Sequence, residues 1–227
     1  MNQGPPNANR WICLDVGETL IDETRVWTEW ARLLDLPAFT FIAAIGATIA
    51  RTPDHQDVFQ LLNRPDWREL MPTFRKRYGA FRNEDLYPDA RQSLDDLRAA
   101  GFRVAILANQ PAERTAELRA LGVDADVMAM SAEMGVSKPD PAFFSQGLRL
   151  MGDPDPARVA YVGDRLDNDV RPSLAAGMRA VWLRRGPWGV IGPGEPPPGT
   201  ALVVDSLAEL VRRIGEAWPA PAPVSGG

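Results

Sequence analysis

Histidine and cysteine are almost missing from this chain of 227 residues, which holds one of each, His55 and Cys13. One cysteine cannot form an intrachain disulfide, and one histidine with one cysteine cannot build a Cys/His zinc site. A Ser-His-Asp triad has only His55 to draw on. Lysine is scarce as well: of 25 basic residues only Lys76 and Lys138 are lysines. Arginine-heavy usage beside 21 Pro and 19 Gly reads first as coding bias. The net charge is −5, which argues against a broad nucleic-acid-binding face. The longest apolar run, residues 39–50, is about 12 residues, whereas a helical membrane span needs roughly 20. The opening segment MNQGPPNANR lacks the basic-then-apolar order of a secretory leader. Neither a nucleic acid nor a membrane is therefore expected as a partner, and a lone cysteine fits a reducing, cytoplasmic setting.

What the sequence does contain is an alternation of short apolar runs and punctuated helical segments. Residues 11–16 (WICLDV), 102–108, 125–130, 158–162 and 179–183 read as strands, with 201–204 as an edge strand. Near-continuous apolar runs of this kind suit parallel strands covered on both faces. Helices are expected over 89–100, 111–121, 141–151, 168–176 and 206–217. The first four stop at glycines; Asp140 caps the third, and Ser206 with Glu209 forms a capping box for the last. The order β-α-β-α predicts an α/β fold with a doubly wound parallel sheet. The stretch 23–87 breaks the pattern. Val26, Trp27, Trp30, Leu33 and Leu34 recur at helical spacing, and Phe59, Leu61, Leu62, Trp67, Leu70, Met71 and Phe74 continue it. This predicts about four helices inserted after the first strand, their aromatic residues serving as packing. The α/β core then comprises residues 11–22 and 88–217, with flexible segments at 1–10 and 218–227.

In an open parallel sheet, ligands sit at the carboxyl ends of the strands. Asp15 follows the first strand, Ala108-Asn109-Gln110 the second, Ser137-Lys138-Pro139-Asp140 comes after the third, and Gly163-Asp164-Arg165-Leu166-Asp167-Asn168-Asp169 follows the fourth. The topology brings these segments to one edge. Clustered carboxylates repel unless a cation joins them, and oxygen-only ligands favour Mg²⁺. A lysine and helix N-termini attract an anion such as phosphate. The residues alone thus describe a Mg²⁺ site beside an oxyanion site. Lys138 stands out because the chain otherwise uses arginine, and a compact ammonium can touch a carboxylate and a phosphoryl oxygen together.

In order and spacing these segments resemble the haloacid dehalogenase superfamily of aspartate-nucleophile hydrolases, from Trp11 to about Ala217. Asp15 and Thr19 match its first motif, Lys138 in V-S-K-P-D-P its lysine motif, and Asp164 with Asp169 its final acidic motif. The resemblance implies a Rossmann-like core with a mobile helical cap at 23–87. It implies that Asp15 attacks phosphorus and becomes an aspartyl-phosphate, which water hydrolyses. Mg²⁺ would be held by Asp15, the backbone carbonyl of Gly17 and Asp164. Lys138 would neutralise Asp15 and the phosphoryl group, Asp169 would orient Lys138 or a metal-bound water, and Thr19 and Asn109 would contact the substrate, a small phosphorylated metabolite.

Two positions depart from the phosphatase pattern. Gly17 stands where those enzymes carry the aspartate that protonates the leaving group. Glu18, Asp22 and Glu23 are the available substitutes. Ala108 stands where a hydroxyl residue would bind phosphate. These changes keep two other readings open: a catalytically weak or inactive binding protein of the same fold, and a hydrolase of carbon–halogen or carbon–phosphorus bonds. The second would use Lys76 if it cleaved phosphonates through an imine. His55, among polar neighbours, reads as a solvated residue at a helix start.

Overall fold

The computed structural model describes residues 7–218. Its sheet has six parallel strands, β1 (Trp11–Leu14), β2 (Arg103–Ala108), β3 (Val127–Met130), β4 (Val159–Gly163), β5 (Arg179–Leu183) and β6 (Leu202–Val204). Their spatial order is β3-β2-β1-β4-β5-β6. Leu14 lies level with Ile106 on one side and Val162 on the other. The chain builds outward from β1 through β2 to β3, then returns to begin the other half at β4. The reversal leaves a crevice beyond the ends of β1 and β4.

Side chains alternate across the pleat, so the four residues of β1 serve two cores. Ile12 and Leu14 join a cluster with Val104, Ile106, Leu94, Leu97 and Leu207. Trp11 and Cys13 point to the opposite layer, with Phe143, Phe144 and Tyr161. Burying a Leu, Ile or Phe contributes about 1.5–3 kcal/mol, which explains why every residue of β1 is apolar. Burial also pushes the Cys13 thiol well up, so it stays protonated.

The helices are α1 (Thr24–Leu33), α2 (Ala38–Ile49), α3 (Asp57–Leu61), α4 (Trp67–Tyr78), α5 (Ala90–Ala99), α6 (Glu113–Ala120), α7 (Ser131–Met134), α8 (Pro141–Leu150), α9 (Arg171–Ala175), α10 (Gly186–Ile191) and α11 (Leu207–Arg213). No single helix among the described residues is long and apolar enough to cross a membrane. Helix α8 starts as its sequence requires: Asp140 Oδ1 accepts from the Ala142 amide at 2.8 Å, and Pro141 occupies the first turn. In α11 the Ser206 hydroxyl accepts from the Glu209 amide at 3.0 Å, but Glu209 accepts from Asp205 rather than closing the box on Ser206.

One helix expectation is corrected. Residues 168–176 do not form one α-helix; a π turn over Leu166–Val170 precedes the short α9. The wider turn turns the Asp169 carboxylate back under β4, where the absence of a side chain on Gly163 gives it room. The sequence-based tail at 1–10 is likewise too long. Asn7 donates to the Ala100 carbonyl at 3.0 Å, and Arg10 lies 4.9 Å over the Trp218 ring. Trp218, assigned by sequence to the other tail, donates to the Ala157 carbonyl at 2.8 Å. The rest of both segments, 1–6 and 219–227, lies outside the described residues.

Helices α1–α4 leave the core and return to it through two strands of linker. Asp22 donates to the Asp85 carbonyl at 2.7 Å and Tyr87 to the Leu20 carbonyl at 3.0 Å. Arg25 clamps this junction. It makes two bonds to the Asp85 carboxylate, at 2.7 and 2.6 Å, and reaches the carbonyls of Tyr78 and Ala80. A planar guanidinium with five donors is suited to such a crossing.

Candidate active site

Asp15 is the first residue beyond β1, and its amide is held by the Val162 carbonyl of β4 at 2.9 Å. Lys138 is buried and extends between two carboxylates: Nζ lies 2.8 Å from Asp15 Oδ1 and 2.6 Å from Asp169 Oδ1. The second oxygen of Asp169 accepts from the Arg165 amide at 3.0 Å. Asn109, just after β2, clips the Lys138 backbone from both sides. Its Nδ2 donates to the Lys138 carbonyl at 2.9 Å and its Oδ1 accepts from the Lys138 amide at 2.8 Å. Burial alone would lower the Lys138 pKa; Asp15 and Asp169 outweigh it and hold the ammonium charged.

Asp164, beyond β4, has the opposite environment. Its backbone carbonyl accepts from the Trp182 indole at 2.9 Å, but the buried oxygen Oδ2 has no hydrogen-bond partner among the described residues. Burial, then the nearby Asp169 and Asp15, push this carboxyl well above the usual range. Carboxylate oxygens of Asp15, Asp164 and Asp169 all lie within 4.8 Å of one another. An orphaned buried oxygen in a group of hard anionic ligands fits a small divalent cation, which would satisfy the oxygen and offset the repulsion. Both oxygens of Asp169 are already engaged, so Asp15 and Asp164 are the freer members.

The position of Gly17 is filled from another part of the chain. A Cβ built on Gly17 would stand 2.7 Å from Glu23 Oε1. Glu23 and Gly17 line the same cleft of about 140 Å³ as Asp15, Lys138 and Asp164. Burial, aided by Glu18 and Asp15, pushes the Glu23 carboxyl up to about 8. The other two substitutes named from sequence are occupied. Glu18, in a left-handed turn at φ 51°, accepts from the Tyr87 hydroxyl and the Glu23 amide. Asp22 caps the Thr24 amide at 2.8 Å.

Residues 10–177 match the family described as haloacid dehalogenase-like hydrolase. The chain belongs to that family. It is 35% identical over 149 residues to a phosphoserine phosphatase of Thermus thermophilus, covering 63% of this chain and 55% of the relative. It is 29% identical over 225 residues to a plasmid-encoded phosphoglycolate phosphatase of Cupriavidus necator, covering 93% and 95%. Its fold superposes with a TM-score of 0.69 on the putative hydrolase YfnB of Bacillus subtilis, solved bound to magnesium, at 18% identity over 91% of this chain and 99% of the other. The chain spans little more than half the length of several curated phosphatases that it matches.

The remaining named residues of this haloacid dehalogenase-like hydrolase fall into two groups. Thr19 does not reach the cleft: it is fully buried, and its hydroxyl has no partner among the described residues. Asn109 lines the cleft, but its amide is committed to Lys138, so its visible work is to place the lysine. Lys76 is exposed on α4 and does not line the cleft, which leaves a phosphonate-cleaving reaction without its amine.

His55 is corrected from a solvated residue to a cleft residue. It packs edge-on between Trp27 and Trp188, with ring centroids 5.6 and 5.7 Å away. Burial lowers its pKa, so it stays neutral. Its polar sequence neighbours gave no hint of this, because the two tryptophans come from α1 and α10. Arg165 and Trp188 also line the cleft. Adjacency to Asp164 was the only signal in the sequence for Arg165. Arg185, the residue before α10, instead ties the start of that helix down, bonding Asp89 at 2.6 Å and the Thr19 carbonyl at 3.1 Å.

Proposed function

We propose that this hydrolase is a Mg²⁺-dependent phosphatase of a small phosphorylated metabolite, with Asp15 as its nucleophile. The observation that carries the reading is the Asp15–Lys138–Asp169 chain beside the unpartnered Asp164 oxygen. Burying two carboxylates and an ammonium together is costly, which favours a reading in which they act on a bound substrate. Asp15, Asp164 and the Gly17 carbonyl would hold the metal. When bound, Mg²⁺ supplies positive charge against the phosphoryl oxygens and draws the carboxylates together.

Asp15 attacks phosphorus from the end of β1, and the ester P–O bond breaks as the Asp15–phosphorus bond forms. Lys138 holds the Asp15 carboxylate by its Oδ1 before attack and offsets charge on the phosphoryl oxygens during it. Asp169 and Asn109 are positioning residues that fix the ammonium and the backbone of Lys138. Glu23 takes over the task that Gly17 cannot perform. Its protonated carboxyl gives a proton to the departing alkoxide; its carboxylate then takes one from the water that attacks the aspartyl-phosphate, releasing phosphate and restoring Asp15. Helices α1–α4 act as the cap that closes the cleft against bulk water.

Phosphate release from p-nitrophenyl phosphate and from a panel of small phosphorylated metabolites, with Mg²⁺ and with EDTA, tests the reading. Metal-dependent release is expected. Halide release from a 2-haloacid without metal, with no phosphate release, would replace it by the dehalogenase reading.

A further inference from the structure

A second cavity, of about 330 Å³, opens between the end of α2, the turn after β4 and α10. It shares Arg165 and Trp188 with the cleft around Asp15, so the two spaces meet at these residues. The smaller cleft is lined chiefly by charged and amide side chains and is the size of a phosphoryl group with little attached. The larger cavity has a different chemistry. Its walls include Ile49 and Leu166, both buried, together with Trp188.

Its charge is also mostly positive. Arg51, Arg165 and Arg171 line it against a single carboxylate, Asp167. That carboxylate is already taken up by Arg165, at 2.7 Å. Arg51 and Arg171 are exposed and make no ion pair among the described residues. Arg165 is fixed from three directions: by Asp167, by the Pro53 carbonyl at 2.9 Å and by the Trp188 ring 5.6 Å away. It is therefore a fixed side chain on the boundary that the two spaces share. A pocket of this volume with apolar walls and a few placed charges is suited to an organic ligand rather than to water alone.

We propose that this cavity receives the leaving group of the substrate, and that the substrate class is a phosphate monoester of a bulky, apolar alcohol carrying a second anionic group. The inference rests on the phosphatase reading of the neighbouring cleft. The phosphoryl group lies at Asp15 and Lys138, the ester oxygen passes beside Arg165 and Trp188, and the apolar body fills the space against Ile49 and Leu166. The second anion meets Arg51 and Arg171 at the open end. A glycolate- or serine-sized leaving group would leave the cavity unfilled.

The test uses the full chain with Mg²⁺ and three esters of primary alcohols, so that leaving-group acidity stays nearly constant: ethyl, benzyl and 4-carboxybenzyl phosphate. The expected kcat/KM rises about tenfold or more from ethyl to benzyl and again to 4-carboxybenzyl. The double variant Arg51→Glu/Arg171→Glu removes the advantage of the carboxylate while the benzyl-to-ethyl ratio persists. Pro193→Trp, at the cavity rim, lowers that ratio. Ethyl phosphate matching or exceeding benzyl phosphate overturns the proposal, as does a carboxylate advantage indifferent to the charge reversal. If none of the esters, nor p-nitrophenyl phosphate, is hydrolysed, the phosphatase reading itself has failed. Calorimetric titration with 4-carboxybenzylphosphonate then decides the cavity separately: binding that the double variant weakens tenfold supports it, and no binding, or binding the variant leaves unchanged, overturns it.

Discussion

Around Asp15 the molecule buries charge; around Trp30 it buries rings. At the carboxyl edge of the sheet, Lys138 sits between Asp15 and Asp169 at 2.8 and 2.6 Å, with Asp164 beside them. In the helical region, Trp30 stacks on Phe74 at 4.4 Å and meets Phe59 edge-on at 4.8 Å, while Phe59 stacks on Trp67 at 4.5 Å. The first arrangement is costly to desolvate and depends on a few atoms being in place. The second is held by apolar area and tolerates small shifts. Substitutions in the two regions should therefore fail differently: turnover is lost at the sheet edge, and folding of the helices is lost around Trp30.

The largest expected effect is at the nucleophile. Asp15→Asn should lower kcat on p-nitrophenyl phosphate by at least about 10⁴-fold, with an unchanged circular dichroism spectrum. Residual activity within tenfold of wild type would dissolve the contrast between the regions. Next comes Trp30→Ala, expected to cost about 3–5 kcal/mol in urea unfolding by removing the ring shared by Phe59, Trp67 and Phe74. An equal loss from Asp15→Asn would show that both regions carry the fold alike.

Glu23→Gln links the two regions, because Glu23 immediately precedes α1 yet fills the space above Gly17. In single-turnover measurement of the first step, phosphoryl transfer to Asp15, its loss should slow reaction of an alkyl phosphate by about 10²-fold or more, and of p-nitrophenyl phosphate far less, since nitrophenolate leaves without a proton. Adding Gly17→Asp to Glu23→Ala should recover part of the alkyl activity; equal slowing of both esters would remove the acid role. The smallest effect is at a site remote from both regions. Ser206→Ala should cost about 1 kcal/mol by uncapping α11, with kcat unchanged.

The two regions were also unequally legible in the sequence. The strands could be read because parallel strands buried on both faces are short apolar runs, and their ends named Asp15, Lys138, Asp164 and Asp169 in advance. Helices in 24–78 could be read from the spacing of Trp27, Trp30, Phe59 and Phe74. What could not be read arises where separate elements meet. Glu23 reaches Gly17 because the chain folds back at Glu18, whose φ of 51° is unusual for a residue with a side chain. His55 is enclosed by tryptophans 28 and 133 positions away in sequence, a contact no local pattern encodes. Asp169 faces Lys138 through a π turn, where helical periodicity predicts an ordinary helix. Thr19 belongs to the sequence motif yet lies beneath the cleft, since position in a motif does not fix the direction of a side chain.

In the proposed reaction a phosphoryl group passes through Asp15. The most direct measurement is mass spectrometry of the acid-quenched protein, digested after brief reaction with a phosphate ester and Mg²⁺. A phosphoryl mass increment is expected on the peptide containing Asp15, absent from Asp15→Asn. Phosphate release with no such increment under single-turnover sampling, or an increment on another residue, would contradict it.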